Sequence, residues 1–402
     1  MYDVIVVGAR CAGAPTAMLL ARTGYRVLLL EKAHFPKDTL SSHYLHPPAV
    51  ASLDRWGLLE KIRATDCPPI HRVRYETSDV RLEASLLPAD GHSTTYAPRR
   101  FVLDPILADA AAAAGAEFRE GCTVTGLLRE GDRVAGVRYR TAGGGEFTER
   151  ARLVVGADGM RSTVARFAGA PKIIEDPPMT CTYYSYWEDL PTRGRWELYE
   201  RSGRSVGVVP TNGGRTLVMA YFPQQEFRQV RTDARSAYLD AIRDTAPGLG
   251  DRLSCARQVE RLYGTGEQHN FIRQSSGPGW ALVGDAAHHK DSIAARGITD
   301  AFLQVRMLTD HIGKDLHDPT ALAAACRRYA RDVEETFTVF YRGTLSVAEL
   351  KVPKERVSFL RAISTDQTLV DRYFAMMSGV CTVEEFYNSK ELEELRERPT
   401  RT

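Results

Sequence analysis

A glycine-rich turn near the start of the chain lies between two apolar segments. Residues 3–7 form an apolar run too short for a helix, which predicts a buried parallel strand. The turn that follows has Gly8 at its first position and Gly13 at its last. Glycine there permits a tight turn and close packing of the next helix on the strand. The peptide N–H groups at that helix start would face a pyrophosphate, so the pattern predicts a dinucleotide site.

The neighbouring elements complete a βαβ unit. A helix is predicted over residues 12–23, with a second strand over residues 25–30. Glu31 follows that strand, where a carboxylate can accept hydrogen bonds from ribose hydroxyls. Arg10 replaces the usual middle glycine, and its guanidinium is expected either over the pyrophosphate or in solvent. The cofactor residues predicted in this segment are Gly8, Arg10, Cys11, Ala12, Gly13, Glu31, Lys32 and Ser42.

Two further segments place an aspartate and a glycine at the end of an apolar strand. In residues 153–166 the strand meets Asp158, and a serine-capped helix follows. In residues 280–288 the strand meets Asp285, and a polar loop leads to a long helix that opens at residues 297–299.

Together, the three segments resemble the fingerprint, Asp-Gly and Gly-Asp motifs of single-component (group A) FAD-dependent monooxygenases of the p-hydroxybenzoate hydroxylase type. Geranylgeranyl reductases and flavin-dependent halogenases share this architecture. The resemblance spans roughly residues 1–312. It implies an α/β fold: a Rossmann-like FAD-binding domain, an interleaved antiparallel β-sheet substrate domain and C-terminal helices. It also implies FAD and NAD(P)H as cofactors, with O2 and a small aromatic molecule as substrates.

The resemblance implies roles for single residues. Asp285 resembles the carboxylate that binds the ribityl chain of FAD, and the helix start at residues 297–299 resembles the one beside the flavin pyrimidine, where a helix N-terminus favours negative charge. Asp158 resembles the residue that supports FAD and pyridine nucleotide, with Arg166 as its partner. Arg100 resembles the arginine near the FAD phosphates; the alternative is a surface arginine at a helix start. The cofactor residues implied here are Arg100, Asp158, Arg166, Gly284, Asp285, Gly297, Ile298 and Thr299.

The region between the second and third motifs alternates like antiparallel strands, predicted at residues 180–187, 195–200, 205–209 and 216–221. Alternation places Tyr184 and Tyr186 on one face of the sheet, with Tyr183 and Trp187 on the other. These rings either line a pocket for a planar or polyketide-like aromatic substrate or pack the sheet. The resemblance places residues 210–212 in a turn near the active face of the flavin, and Arg296 near the flavin edge or substrate entrance. The predicted substrate residues are Tyr184, Tyr186, Pro210, Tyr221 and Arg296.

Two histidines follow the second strand. His43 and His46 are candidate general bases for a phenolic substrate, because an imidazole titrates near neutrality; the alternative is that both are structural or exposed loop residues. His288 and His289 show no metal-ligand spacing, and no metal site is predicted.

In the predicted domain organisation, segments of the FAD-binding domain alternate along the chain with segments of the substrate domain. FAD-binding segments are expected at residues 1–75, 101–175 and 273–345. Substrate-sheet segments are expected at 76–100 and 176–272, with C-terminal helices over 346–402. One long helix is predicted over roughly 318–345, and the charged tail at 391–399 is expected to fray.

Composition excludes several classes of protein. The 402 residues are 43% hydrophobic and 26% charged, which is ordinary globular usage. A net charge of +2 argues against a nucleic-acid binder, and no apolar run approaches the ~20 residues of a membrane span. The seven cysteines are scattered, and the N-terminus lacks the pattern of a signal peptide. A cytoplasmic location is expected; the oligomeric state stays open.

Three activities and one non-catalytic role follow from the resemblance. Hydroxylation through a flavin C4a-hydroperoxide needs a dry, shaped pocket more than a catalytic side chain. A halogenase would carry a Trp-x-Trp motif and an essential lysine, but no Trp-x-Trp occurs and residues 62–171 contain no lysine. An isoprenoid double-bond reductase would carry an aromatic-rich stretch where residues 205–210 stand. A flavin-binding scaffold or sensor is the remaining possibility. Monooxygenation of an aromatic molecule is the favoured prediction.

Overall fold

A computed structural model describes residues 1–397 of the chain. The helices within them are α1 (Gly13–Arg22), α2 (Pro47–Arg55), α3 (Leu59–Arg63), α4 (Arg100–Ala113), α5 (Thr163–Ala168), α6 (Phe227–Thr232), α7 (Ala234–Thr245), α8 (Pro247–Ser254), α9 (Gly297–Ile312), α10 (Pro319–Ala348), α11 (Lys354–Ile363), α12 (Gln367–Ser378), α13 (Val383–Tyr387) and α14 (Lys390–Glu397). No helix within residues 1–397 is both long enough and apolar enough to cross a membrane.

The strands form two large sheets and one small sheet. They are β1 (Tyr2–Val7), β2 (Val27–Leu30), β3 (Arg72–Thr77), β4 (Val80–Ser85), β5 (Glu117–Arg119), β6 (Cys122–Glu130), β7 (Arg133–Thr141), β8 (Glu146–Gly156), β9 (Lys172–Asp176), β10 (Thr180–Glu188), β11 (Arg195–Arg201), β12 (Arg204–Thr211), β13 (Arg215–Pro223), β14 (Arg257–Gln258), β15 (Tyr263–Thr265), β16 (Asn270–Arg273), β17 (Ser276–Gly277), β18 (Trp280–Leu282) and β19 (His288–His289).

The first sheet is the predicted Rossmann-like core. Its strand order is β17-β18-β8-β1-β2-β5, and β6 and β7 extend it from β8. The central strand β1 pairs in parallel with both β2 and β8, and β18 pairs in parallel with β8. Strand β5 pairs in parallel with β2, so five strands point the same way and their carboxyl ends meet at one edge of the sheet. Nucleotides bind at this edge in open α/β sheets.

The second sheet confirms the four strands predicted between the second and third motifs. Its order is β14-β10-β13-β12-β11-β3-β4, and all neighbours are antiparallel except β11 and β3. Tyr184 and Tyr186 belong to a core cluster on one face, and Tyr183 and Trp187 to a separate cluster against α7. The predicted alternation of faces is confirmed. The sheet takes its first strand from Arg72, a few residues before the predicted boundary.

The C-terminal helices cover the face of the second sheet that carries Tyr184. Apolar residues of α11 to α14 pack with those of β3 and β4 in one core cluster. Helix α10 lies close to its predicted position. Residues 391–397, part of the segment expected to fray, belong to α14 instead, because Leu392 is buried in this cluster. The remainder of that predicted tail lies outside the described residues.

Candidate active site

The glycine-rich turn joins β1 to α1 at very short range. Gly8 adopts φ +97° and its N–H donates to Leu30 O at 2.7 Å. A Cβ placed on Gly13 would lie 1.7 Å from Gly8 O and 3.1 Å from the Ala157 Cβ. Only glycine fits at position 13, because any side chain would separate α1 from the strand. Gly8 and Gly13 thus form the tight turn and the close helix–strand packing that their spacing predicts.

Glu31 reaches back from the end of β2 to this turn. Its side chain is buried, and its two carboxylate oxygens accept from Ala9 N at 2.8 Å and Ala33 N at 2.9 Å. Carboxylate oxygens have further lone pairs, so these bonds orient the group without exhausting its acceptor capacity. Its contact with a ribose stays a prediction. Of the other residues predicted in this segment, Cys11 and Ala12 are buried, Ser42 is half-buried, and Lys32 is exposed.

Two arginines meet on one buried carboxylate beside the turn. Asp104 of α4 accepts from Arg100 Nε at 2.8 Å and Arg100 Nη2 at 3.0 Å, and from Arg10 Nη1 at 3.1 Å. Arg10 therefore pairs with a carboxylate, an arrangement neither prediction for it included. Arg100 is 11% exposed at its side chain, so the surface alternative for it is wrong. Sequence analysis missed Asp104, although its i,i+4 spacing from Arg100 was a signal.

The cluster of Arg10, Arg100 and Asp104 carries a net charge of about +1. Such a charge, held next to the glycine-rich turn, attracts an anionic pyrophosphate. The thiol of Cys11 also donates to Asp104, at 3.5 Å, and burial raises the pKa of that thiol, so Cys11 stays neutral at physiological pH.

Asp158 caps a helix in the structure. It accepts from the Ser162 hydroxyl at 2.5 Å and from Thr163 N at 2.6 Å, at the start of α5. Burial raises the pKa of Asp158. Arg166 points the other way: it is exposed, and its guanidinium lies 4.5 Å from the centre of the Phe167 ring. The implied partnership between Arg166 and Asp158 is corrected, because Ser162 occupies that place.

The loop before α9 presents a carboxylate and a helix N-terminus. Asp285 is half-buried and makes no side-chain hydrogen bond within the described residues, so both its oxygens are available to a ligand. Gly284 N donates to Gln304 Oε1 at 2.8 Å, which fixes the turn. Helix α9 begins at Gly297, and the Thr299 hydroxyl accepts from His46 N at 3.1 Å.

Arg296 lies in the interior behind this loop. Its Nη2 donates to Asp300 at 3.0 Å, its Nη1 donates to Met377 O at 3.1 Å, and its guanidinium lies 3.7 Å from the centre of the Phe340 ring. Lys290 pairs with the same carboxylate. The guanidinium of Arg296 is buried and paired with Asp300, and its predicted position near the flavin edge or substrate entrance stays a prediction.

His43 and Tyr186 form a buried pair under the second sheet. His43 is fully buried with φ 61°, and its Nε2 lies 2.6 Å from the Tyr186 hydroxyl. Burial and the nearby charges of Arg99 and Arg100 hold the pKa of His43 well below its usual value. His43 is therefore neutral at physiological pH. Tyr184 packs edge-on against Tyr186, with ring centres 6.0 Å apart.

Arg99 holds this pair in place, and sequence analysis missed it. Its guanidinium lies 3.7 Å from the centre of the Tyr186 ring, pairs with Asp38 and donates to Glu260 at 2.9 Å. Arg99 N also donates to Asn212 Oδ1 at 2.8 Å. The Arg99 side chain thus connects the loop after β2 to the second sheet.

Replacing Arg99 by methionine is expected to reduce the free energy of unfolding by about 2–3 kcal/mol, because two carboxylates lose a largely buried cation. Urea unfolding measures the change. The matched control is Arg150→Met, which removes an exposed ion pair with Glu130 and should cost less than about 1 kcal/mol. An equal loss of unfolding free energy in the two variants would show that burial of the Arg99 ion pairs adds nothing to stability.

A partly open cavity of about 80 Å³ lies between the second sheet and the C-terminal helices. It borders Ile293 and Ala294, in the loop that leads into α9. Most of its wall is apolar or aromatic. The lining residues include Tyr44, His46, Trp196, Val347, Phe374 and Met377. A larger polar cleft of about 260 Å³ lies under α8, on the other side of the sheet and away from the glycine-rich turn.

The predicted substrate residues lie near this cavity without lining it. Tyr184, Tyr186 and Tyr221 share the core cluster that surrounds it. The Tyr221 hydroxyl lies 3.2 Å from the Ser292 hydroxyl, beside the loop before α9. Pro210, expected in a turn, lies within β12 opposite Thr216. None of the five predicted residues is part of the cavity wall. The sheet pattern placed these tyrosines on the face that borders the cavity, and the C-terminal helices decide which part of that face stays open. Their contact with a substrate stays a prediction.

The glycine-rich turn, Glu31, Asp158 and Asp285 all follow the carboxyl ends of the parallel strands β1, β2, β8 and β18. A glycine cradle, a positive cluster and a free carboxylate at one sheet edge fit a flavin dinucleotide. Residues 1–318 match the model of the FAD binding domain family. The chain belongs to this family. It is an FAD-dependent oxidoreductase.

Known relatives of this flavoprotein differ in activity. It is 29% identical to a digeranylgeranylglycerophospholipid reductase of Methanosarcina mazei, over 75% of this chain and 72% of the relative. It is 27% identical to the 6-methylpretetramide 4-monooxygenase of Streptomyces rimosus, over 81% and 80%. The myxobacterial chondrochloren halogenase shares its fold, with a TM-score of 0.79, 23% identity and coverage of 98% of this chain and 95% of that one.

Proposed function

We propose that this flavoprotein is an NAD(P)H-consuming monooxygenase that hydroxylates an apolar aromatic molecule. The observation that carries the proposal is the aromatic-walled cavity against the loop that opens α9. Rings such as Tyr44, Trp196 and Phe374 offer planar apolar surface to a planar substrate. The cavity lies next to the helix start that the family resemblance assigns to the flavin ring.

The chain's own residues would perform four tasks. The glycine-rich turn with Arg10 and Arg100 would bind the pyrophosphate, and Glu31 and Asp285 would bind hydroxyls. FAD, once bound and reduced by NAD(P)H, supplies the activation of oxygen. The free N–H groups at the start of α9 favour negative charge in front of them. The apolar cavity would exclude water from the reacting carbon, which limits side reactions of a reactive oxidant with water.

The second candidate is reduction of an isoprenoid double bond. The identity with the Methanosarcina mazei reductase and the apolar character of the cavity favour it. A third activity, halogenation, has less support, because no lysine lines this cavity in the part of the chain that the structure describes.

The purified protein should be yellow and should oxidise NADH or NADPH faster when an aromatic substrate is present. We expect O2 consumption that a phenol or an aromatic polyketide stimulates, with one atom of ¹⁸O from ¹⁸O2 in the product by mass spectrometry. Anaerobic saturation of a prenyl diphosphate would instead establish the reductase. Turnover that requires halide and a separate reductase would establish a halogenase.

A variant of the cavity makes this experiment specific. Val347 of α10 lines the cavity, so Val347→Trp should fill it and abolish stimulation by substrate while the flavin spectrum persists. Val339 lies on the same helix and is 52% exposed, so Val339→Trp is the matched control. Full stimulation in Val347→Trp would place the substrate elsewhere and contradict the proposal.

A further inference from the structure

The cavity between the second sheet and the C-terminal helices opens to solvent at Met377. This residue lines the cavity near the C-terminal end of α12 and is 37% exposed, whereas the other described residues that line the cavity are buried or half-buried. Ser378, the last residue of α12, lines the cavity as well. The last turn of α12 therefore forms the mouth of the cavity.

Arg296 caps this last turn. The last carbonyl groups of a helix have no partner within the helix, and Arg296 Nη1 donates to one of them, Met377 O, at 3.1 Å. A cation at this end also interacts favourably with the helix dipole. Gly379 follows α12 with φ +80°, and a Cβ placed on it would lie 3.1 Å from Arg296 Nη2. The end of α12 is thus packed directly against the guanidinium.

The guanidinium of Arg296 has further contacts that fix its position. Its Nε and Nη2 donate to Asp300 at 3.2 and 3.0 Å, and it lies 3.7 Å from the centre of the Phe340 ring of α10. Lys290 pairs with Asp300 too, so two cations share one buried carboxylate. A buried side chain with this many partners has little freedom to move. Arg296 therefore holds the end of α12 in one place.

Arg296 also connects three elements that surround the cavity. Its backbone directly precedes α9, and Ala294, two residues earlier, lines the cavity. Its side chain holds Met377 of α12 and contacts Phe340 of α10, the helix that carries the lining residue Val347. We propose that Arg296 is a positioning residue that keeps the mouth of the cavity narrow and thereby limits the size of the aromatic substrate. This inference rests on the proposed function of the cavity.

The test measures entry into the cavity of the oxidised holoenzyme, without substrate or reductant. Ser205 of β12 is buried and lines the cavity, so the thiol of Ser205→Cys reacts only with molecules that have entered. Cys255→Ser and Cys381→Ser remove the two thiols that are not buried. The probes are methyl methanethiosulfonate and benzyl methanethiosulfonate, which are both uncharged and differ in size. Mass spectrometry gives the rate of disulfide formation with each.

Arg296→Met should raise the rate with the benzyl reagent roughly tenfold, because the end of α12 loses a hydrogen bond from a charged group. The rate with the methyl reagent should rise much less, since the small probe already passes the mouth. General loosening of the protein would instead raise both rates by the same factor. Arg296→Lys keeps the charge and should restore part of the selectivity for the small probe.

Two matched pairs of variants separate the mouth from the rest of the fold. Arg372 of α12 does not line the cavity and donates to Glu385 O at 3.1 Å, so Arg372→Met removes a similar bond and should leave the ratio of the two rates unchanged. Gly379→Ala should raise the ratio, because the new Cβ pushes the end of α12 off Arg296. Its control is Gly169→Ala, since Gly169 follows α5 with φ +73° and a Cβ there meets no atom within 4 Å.

The double variant Arg296→Met with Gly379→Ala tests whether both changes act on one contact. Its rate with the benzyl reagent should not exceed that of the faster single variant. The inference is overturned if Arg296→Met leaves the ratio of benzyl to methyl rates unchanged, if Arg372→Met changes it equally, if the two single effects multiply, or if the benzyl reagent reaches the thiol in no variant.

Should Arg296→Met fail to bind FAD, the glycine variants decide: the ratio must rise in Gly379→Ala and not in Gly169→Ala. Because no turnover is involved, a mouth that selects by size without O2-dependent hydroxylation would contradict the proposed reaction alone. Hydroxylation with an unchanged ratio in Arg296→Met would contradict only the role of Arg296.

Discussion

Replacing Gly13 by alanine is expected to yield a protein that no longer binds FAD. The new Cβ would lie 1.7 Å from the Gly8 carbonyl oxygen, a contact that only a shift of α1 away from β1 can relieve. That shift opens the turn that would bind the pyrophosphate. It also disrupts the centre of the parallel sheet, with an expected loss of more than about 4 kcal/mol in the free energy of unfolding. Flavin absorbance per mole of purified protein and thermal unfolding measure both effects.

The matched control is Gly248→Ala in α8. A Cβ at position 248 meets no atom within 4 Å and needs no unusual backbone, so stability should be unchanged or slightly higher. Normal flavin content in Gly13→Ala would show that the helix start does not lie against the cofactor, and would contradict the assigned site.

The second large effect is expected between pH 6.5 and pH 5. His43, His46 and His288 are buried, and burial holds the pKa of each well below 6.5, to about 3 for His46. In this window the unfolded chain binds a proton at each position, but the folded chain does not. Stability therefore falls as the pH falls. The free energy of unfolding then changes by up to roughly 4 kcal/mol per pH unit if all three histidines contribute.

Urea unfolding at half-unit intervals of pH measures this slope. His288 lies between the rings of Phe337 and Tyr341, and its Nε2 has no partner among the described residues. His288→Phe should therefore remove about one third of the slope. His269→Asn changes an exposed side chain and should leave the slope as it is. A wild-type slope near zero would show that these histidines are protonated in the folded protein.

The glycine-rich turn and the carboxylates at the sheet edge could be placed from the sequence because their positions depend on local chemistry. Gly8, Gly13 and Glu31 lie within one βαβ unit, where short-range geometry fixes what each residue can do. Asp285 could be placed because it directly follows a strand of the same sheet. Parallel strands bring their carboxyl ends to one edge whatever connects them. Asp158 follows such a strand too, but its carboxylate caps α5.

The cavity proposed for the substrate could not be predicted in this way. Its wall combines Tyr44 from the loop after β2, Trp196 from the second sheet, Ile293 from the loop before α9, and Phe374 from α12. These residues are distant in sequence, and no spacing rule relates them. Alternation along β10 identified the buried face, yet Tyr184 and Tyr186 became packing residues because the C-terminal helices leave the open space elsewhere.

The sequence alone determined the family, the parallel sheet and the sheet edge that carries the predicted cofactor residues, since those follow from patterns within single segments. Only the tertiary structure decided the partners of the charged and titratable groups. Arg296 turned inward because Asp300 lies one helical turn away in a dry interior. His46 lost its basicity because burial and two neighbouring cations disfavour the imidazolium. The ion pair of Arg296 and the lowered basicity of His46 both require burial. Burial depends on which distant segments pack together, and local sequence patterns do not determine that.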